Sequence, residues 1–188
     1  MAPGAVCPLR ARAGGYSRFV RQLSAEGIAV MSEMSPSGQR PQVLHAAFQA
    51  GRVPVADLPE LIAFTWLYDD SPTSNLGEAE WINLYNAAGF FSHPEGRMRP
   101  SEAVTVYRGA TPDRVRRISW AERRQVAITL GTRHRWNGPA ALYSAIVVPD
   151  AILAYLGRQG EGWTVVVNPE GLSDIRLLNQ LPDPRPAR

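Results

Sequence analysis

The chain has 188 residues, 45% of them hydrophobic, with 20 basic against 17 acidic side chains and one cysteine. Length and composition predict a single domain with a real core. They exclude an intrachain disulfide, and no apolar run is long enough for a membrane-spanning helix.

Every basic side chain is an arginine and the pI is about 9.4. Guanidinium binds phosphate bidentately, but a net charge of +3 is modest for this length. Arg10, Arg12, Arg18 and Arg21 are followed by no apolar stretch. The expectation is therefore no secretory signal and, with Cys7 alone, a reducing cytoplasmic setting. His45, His93 and His134 are too scattered for a zinc site, so no metal is expected.

Residues 1–40 are rich in Gly, Pro, Ser and Arg and read as a weakly ordered leader with a short helix over 16–23. Met31 and Met34 are alternative first residues. A helix is predicted over 42–50, closed by Gly51. A second runs over 57–68, with Asp57 as N-cap, Pro59 in its first turn, and Leu58, Leu61, Ile62, Thr65 and Trp66 at helical spacing. A third runs over 77–88. Asn75 and Glu78 suggest a capping box, Gly89 ends the helix, and Trp81, Leu84, Tyr85 and Ala88 form a core stripe.

Past Pro100 the texture changes. β-branched and aromatic residues predict a strand over 104–108 and a strand end over 117–120. A helix follows over 121–133, then a strand over 141–148 stopped by Pro149. Asp150 is read as the cap of a short helix over 151–155. Strands are predicted over 162–168 and 174–178, and 182–188 is a polar tail. Helices first, then strands around one helix, predict an α+β fold rather than a doubly wound sheet. The expected layout is one domain over 41–181, helical over 41–100 and β-rich over 101–181.

No Walker loop, GxGxxG, HExxH or GxSxG is present. What remains is an ordered set of pieces: VTVYRGA at 104–110, RISWAE at 117–122, ALYSAIVVPDAILAY at 141–155 and WTVVVNP at 163–169. In this order they resemble the arginine/serine/glutamate type of ADP-ribosyltransferase, above all small actinobacterial and phage proteins of that type. The resemblance covers about 75 residues. It implies N-terminal helices followed by a mixed, split β-sheet core, with NAD as substrate and no metal. The implied acceptor is an unidentified macromolecule, protein or nucleic acid.

Cleaving the bond between nicotinamide and ribose passes through an oxocarbenium-like centre, which a carboxylate stabilises. By the resemblance, Arg108 anchors NAD, Ser119 positions it and Glu161 supplies the carboxylate. Tyr107, Gly109 and Trp120 complete the NAD contacts, the aromatics as stacking surfaces for nicotinamide. Read alone, Arg108 is a surface ion-pair residue, Ser119 a helix N-cap and Trp120 a core plug.

The family's two acidic positions fall on Gly162 and Thr164, and the nearby acid is Glu161. Strand alternation sets Glu161 on the face of Trp163 and Val165 unless Gly160 or Gly162 bends the chain. Two further readings follow. One is a catalytically degenerate relative kept as a binding module. The other is an arginine-rich nucleic-acid-binding protein, from the run Arg114, Arg116, Arg117, Arg123, Arg124, Arg133 and Arg135.

Overall fold

A computed structural model describes residues 23–34, 38–69, 72–133, 140–158 and 162–181. Glu161, the 182–188 tail and all but Leu23 of the helix expected over 16–23 lie outside the described residues. Among those described, six α-helices and one seven-stranded mixed sheet form an α+β architecture. Helices lead and most strands follow, as the change of texture at Pro100 predicts.

The first helix, α1 (Ala25–Glu33), falls inside the expected leader. Composition concealed it, but its buried residues Gly27, Val30 and Met31 keep helical spacing. The Ser24 hydroxyl accepts from the Gly27 amide at 3.1 Å. The Ser24 amide in turn donates to the Asp57 carboxylate at 3.2 and 3.3 Å, and the hydroxyl donates there too. Asp57 therefore secures the N-cap of another helix. It makes no side-chain cap bond to its own helix, α3 (Leu58–Tyr68). Between them, α2 (Arg40–Gln49) ends where Gly51 takes φ +68°.

The short α4 (Pro72–Asn75) precedes α5 (Glu78–Ala88), whose N-cap is Gly77, without a side-chain cap bond. The expected capping box does not form. Asn75 donates instead to Asp69 Oδ1 at 3.0 Å, and Glu78 is engaged by the loop before Trp120. Gly89 ends α5 at φ +71°.

Trp81, Leu84 and Tyr85 are fully buried and join α1, α2 and α3 in one core. Trp66 meets Trp81 edge-on at 5.1 Å, and Tyr85 stacks on Phe91 at 5.9 Å. The Tyr85 hydroxyl has no hydrogen-bond partner among the described residues, and burial pushes its pKa well above the usual tyrosine value. Deleting a buried orphan hydroxyl removes a desolvation cost. Tyr85→Phe is therefore expected to raise unfolding free energy by about 1 kcal/mol. A urea titration should show a later midpoint at unchanged slope.

The sheet runs β1-β5-β6-β3-β2-β4-β7. These are β1 (Phe91–His93), β2 (Val104–Ala110), β3 (Ser119–Ala121), β4 (Ala141–Val147), β5 (Ile152–Arg158), β6 (Gly162–Val167) and β7 (Leu172–Gln180). β1 pairs in parallel with β5, and every other pairing is antiparallel. The helix expected over 151–155 is strand β5. It lies between β1 and β6 with Ile152 through Leu156 all buried, and an apolar run covered on both faces has no periodicity to separate strand from helix.

Alternation divides the faces of the sheet. Val166 and Leu156 enter the helical core, while Val165, Val167 and Trp120 enter a second core with Val106 and Val147. The last helix, α6 (Arg124–Arg133), starts later than expected because Ala121 belongs to β3. It packs on Tyr107, Ala121 and Leu142. The sheet is continuous but pinched between β2 and β3, where Tyr107 and Ala121 form the sole paired register position.

Candidate functional site

The pinch brings two of the expected site residues together. Arg108 lies on β2 one position past the paired Tyr107, and Ser119 lies on β3 two positions before the paired Ala121. Backbone pairing across this junction is minimal, and the Arg108 guanidinium bridges it. Its Nη1 donates to the Ser119 carbonyl, and its Nε donates to the Arg114 carbonyl at 3.1 Å. Trp120 Nε1 donates to the Arg117 carbonyl at 2.8 Å. Side chains from both strands thus satisfy the carbonyls of the connecting loop, as the closure of buried polar groups demands.

The setting is cationic. Burial lowers the Arg108 pKa to about 10, the Glu78 carboxylate opposes that shift, and Arg117 and Arg114 add to it. Arg108 remains charged at neutral pH. Glu78, at the start of α5, stands 3.5 Å from Arg117 Nη1 and accepts from the Ile118 amide at 3.4 Å. One carboxylate therefore faces several guanidinium groups, and Arg108 Nη2 has no hydrogen-bond partner among the described residues. Such a concentration of donors attracts an anion.

The surface-ion-pair alternative for Arg108 does not hold, because its bonds go to carbonyl oxygens. Ser119 does not cap a helix, since α6 begins at Arg124. It is half-buried, and its hydroxyl makes no hydrogen bond among the described residues. Trp120 is 1% exposed. Its ring is a core plug, which leaves the half-buried Tyr107 as the stacking candidate of the pair. Gly109 sits against α6, where its missing side chain lets the helix approach.

At the edge expected to carry the acid, Thr164 pairs with Ala121 on one side and Leu156 on the other. Neither Thr164 nor Gly162 offers a carboxylate. Gly162 has φ +85°, a left-handed conformation that breaks regular strand alternation at the residue following Glu161. No family model matches the chain, nor does any curated protein or solved structure.

A further group escaped sequence reading. Arg97 Nη2 donates to Glu122 Oε2 at 2.6 Å, and the Arg97 guanidinium lies 5.3 Å from the Tyr155 ring and 5.1 Å from that of Trp163. The Glu122 amide donates to the Trp163 carbonyl at 3.2 Å, which brings a described carboxylate beside the start of β6. Burial and then Glu122 raise the Tyr155 pKa, and Arg97 partly offsets this. Glu122 falls in the helix expected over 121–133 and Arg97 in no expected element, so no spacing rule joins them. Among the described residues, no group of three or more His, Cys, Asp or Glu is placed to hold a metal ion, and no helix is long and apolar enough to cross a membrane.

Proposed function

We propose that the chain is an NAD-dependent mono-ADP-ribosyltransferase, or an NAD glycohydrolase, acting in a reducing compartment on an unidentified macromolecular acceptor. The observation that supports this reading most is the bond from Arg108 to the strand carrying Ser119. It unites, at a cationic pinch in the sheet, residues that the ordered motifs assign to one site. A guanidinium there holds the pyrophosphate of NAD, and the free Ser119 hydroxyl orients the nicotinamide ribose. Glu161 supplies negative charge to the oxocarbenium-like centre.

Nicotinamide release from NAD, measured with and without cell lysate as acceptor, tests the reading. Wild type is expected to turn over. Glu161→Gln is expected to lose about 100-fold or more, as when one electrostatic stabiliser is removed, while Ser119→Ala loses less. Full turnover in Glu161→Gln combined with loss in Glu122→Gln would transfer the acid role to Glu122. Full turnover in both would refute this mechanism.

A second reading, a degenerate fold kept as a binding module, is favoured by Gly162 and Thr164 at the family's acidic positions. Its signature is an NAD-dependent rise in melting temperature without nicotinamide release.

A further inference from the structure

We propose that the cavity between the start of α3 and the loop over residues 90–99 binds a nucleoside monophosphate. Neither Arg108 nor Ser119 lines this cavity, and the proposal does not rest on the transferase reading. The cavity has a volume of about 700 Å³, within the range of small-molecule sites. Its lining combines Phe90, Phe91 and Met98 with Glu60, Arg97 and Arg99.

Each part calls for a different part of one ligand. Glu60 Oε2 is a buried oxygen with no hydrogen-bond donor among the described residues. It lies 3.3 Å from His93 Nδ1, and no hydrogen bond forms across that separation. A buried acceptor of this kind is costly unless a donor arrives, and a ribose diol supplies hydroxyl donors to a carboxylate. The aromatic lining and Met98, which is 86% exposed, offer an apolar surface for a planar base.

The guanidinium groups supply the anion end. Arg97 is held by Glu122 through Nη2 and by the Tyr155 and Trp163 rings, and its backbone amide donates to Ser92 Oγ at 3.0 Å. Its Nε and Nη1 make no hydrogen bond among the described residues, so a preorganised pair of donors remains. Arg99 lies 5.0 Å over Phe90, and its contact with the exposed Asp150 is long, at 3.4 Å. A phosphate displaces such a contact at little cost. Glu95 also lines the cavity, but it is exposed and solvent screens its charge.

Titration calorimetry of the full chain with AMP tests the site, with adenosine, inorganic phosphate and 2′,3′-dideoxy-AMP as comparison ligands. AMP is expected to bind saturably at one site. Arg99→Glu, a change at a partly exposed position, should weaken AMP about tenfold or more and leave adenosine unchanged. Dideoxy-AMP should bind wild type several-fold more weakly than AMP, because it lacks the hydroxyls meant for Glu60. The proposal is overturned by no saturable AMP binding, by equal AMP affinity in Arg99→Glu, or by adenosine or phosphate alone binding as tightly as AMP.

Discussion

Arg108→Ala is expected to cost the fold about 2 kcal/mol, the price of stranding the part-buried Ser119 carbonyl acceptor. The guanidinium is the donor to the Ser119 and Arg114 carbonyls across a junction with a single paired position. Alanine leaves the Ser119 oxygen without a partner in a place where backbone pairing cannot replace it, while water can serve the exposed Arg114 oxygen. Arg108→Lys is expected to recover little, because one ammonium is a point donor and the two carbonyls need a planar fork. Urea midpoints of wild type and the two variants measure this, and a loss below about 1 kcal/mol in Arg108→Ala would refute the bridging role. Below pH 10 the residue is charged in both folded and unfolded chain, so its contribution does not vary with pH there. Above that, the folded chain binds fewer protons than the unfolded one, and the penalty for burying the charge is relieved as pH rises. A profile from pH 6 to 8 should therefore show no titration from this group. Because the stability cost is separable from chemistry, the Glu161→Gln variant, and not Arg108→Ala, carries the test of turnover.

Much of the fold was legible because its signals are local. Gly51 and Gly89 end helices by taking positive φ, a demand that any reader of the chain can infer from glycine itself. The alternation through β2 and the valine run in β6 announced strands. Where the sequence misled, the deciding partner was distant. Asp57 does stand at the N-cap of the helix beside it, but its carboxylate bonds Ser24, 33 residues away. β5 lacked periodicity because it is covered on both faces. β1, of three residues, exists only by pairing with β5.

The candidate site divides in the same way. Arg108 and Ser119 were legible as an ordered pair, but the nature of their link was not. Motif logic places the guanidinium and serine before one ligand, while the structure first joins them through a main-chain carbonyl. The Arg97–Glu122 pair spans 25 residues, with rings from β5 and β6 around it. Arg97 belongs to no motif piece and Glu122 only closes RISWAE with no role attached, so only the folded chain joins them.

Gly109→Ala is expected to destabilise by roughly 3 kcal/mol, at the upper end of overpacking costs. Gly109 follows Arg108 on β2 and faces α6 so closely that a methyl group there would meet Ala127 O at 2.5 Å and Gly131 Cα at 2.7 Å. Both obstacles are backbone, so no rotamer change relieves them, and α6 must lift from the sheet. Gly131 is the reciprocal position, with its own added methyl 2.6 Å from Gly109 Cα. The melting temperature should fall by about 6–12 °C for either single variant in a domain of this size. The double variant should lose much less than the sum, since a helix already displaced accommodates the second methyl. Strict additivity, or an unchanged melting temperature in Gly109→Ala, would count against this contact. The site should respond as well, because α6 packs on Tyr107 and Ala121, the residues that form the pinch. Lifting the helix loosens the frame that holds Arg108 against Ser119, so nicotinamide release by a still-folded Gly109→Ala protein at low temperature should fall with it.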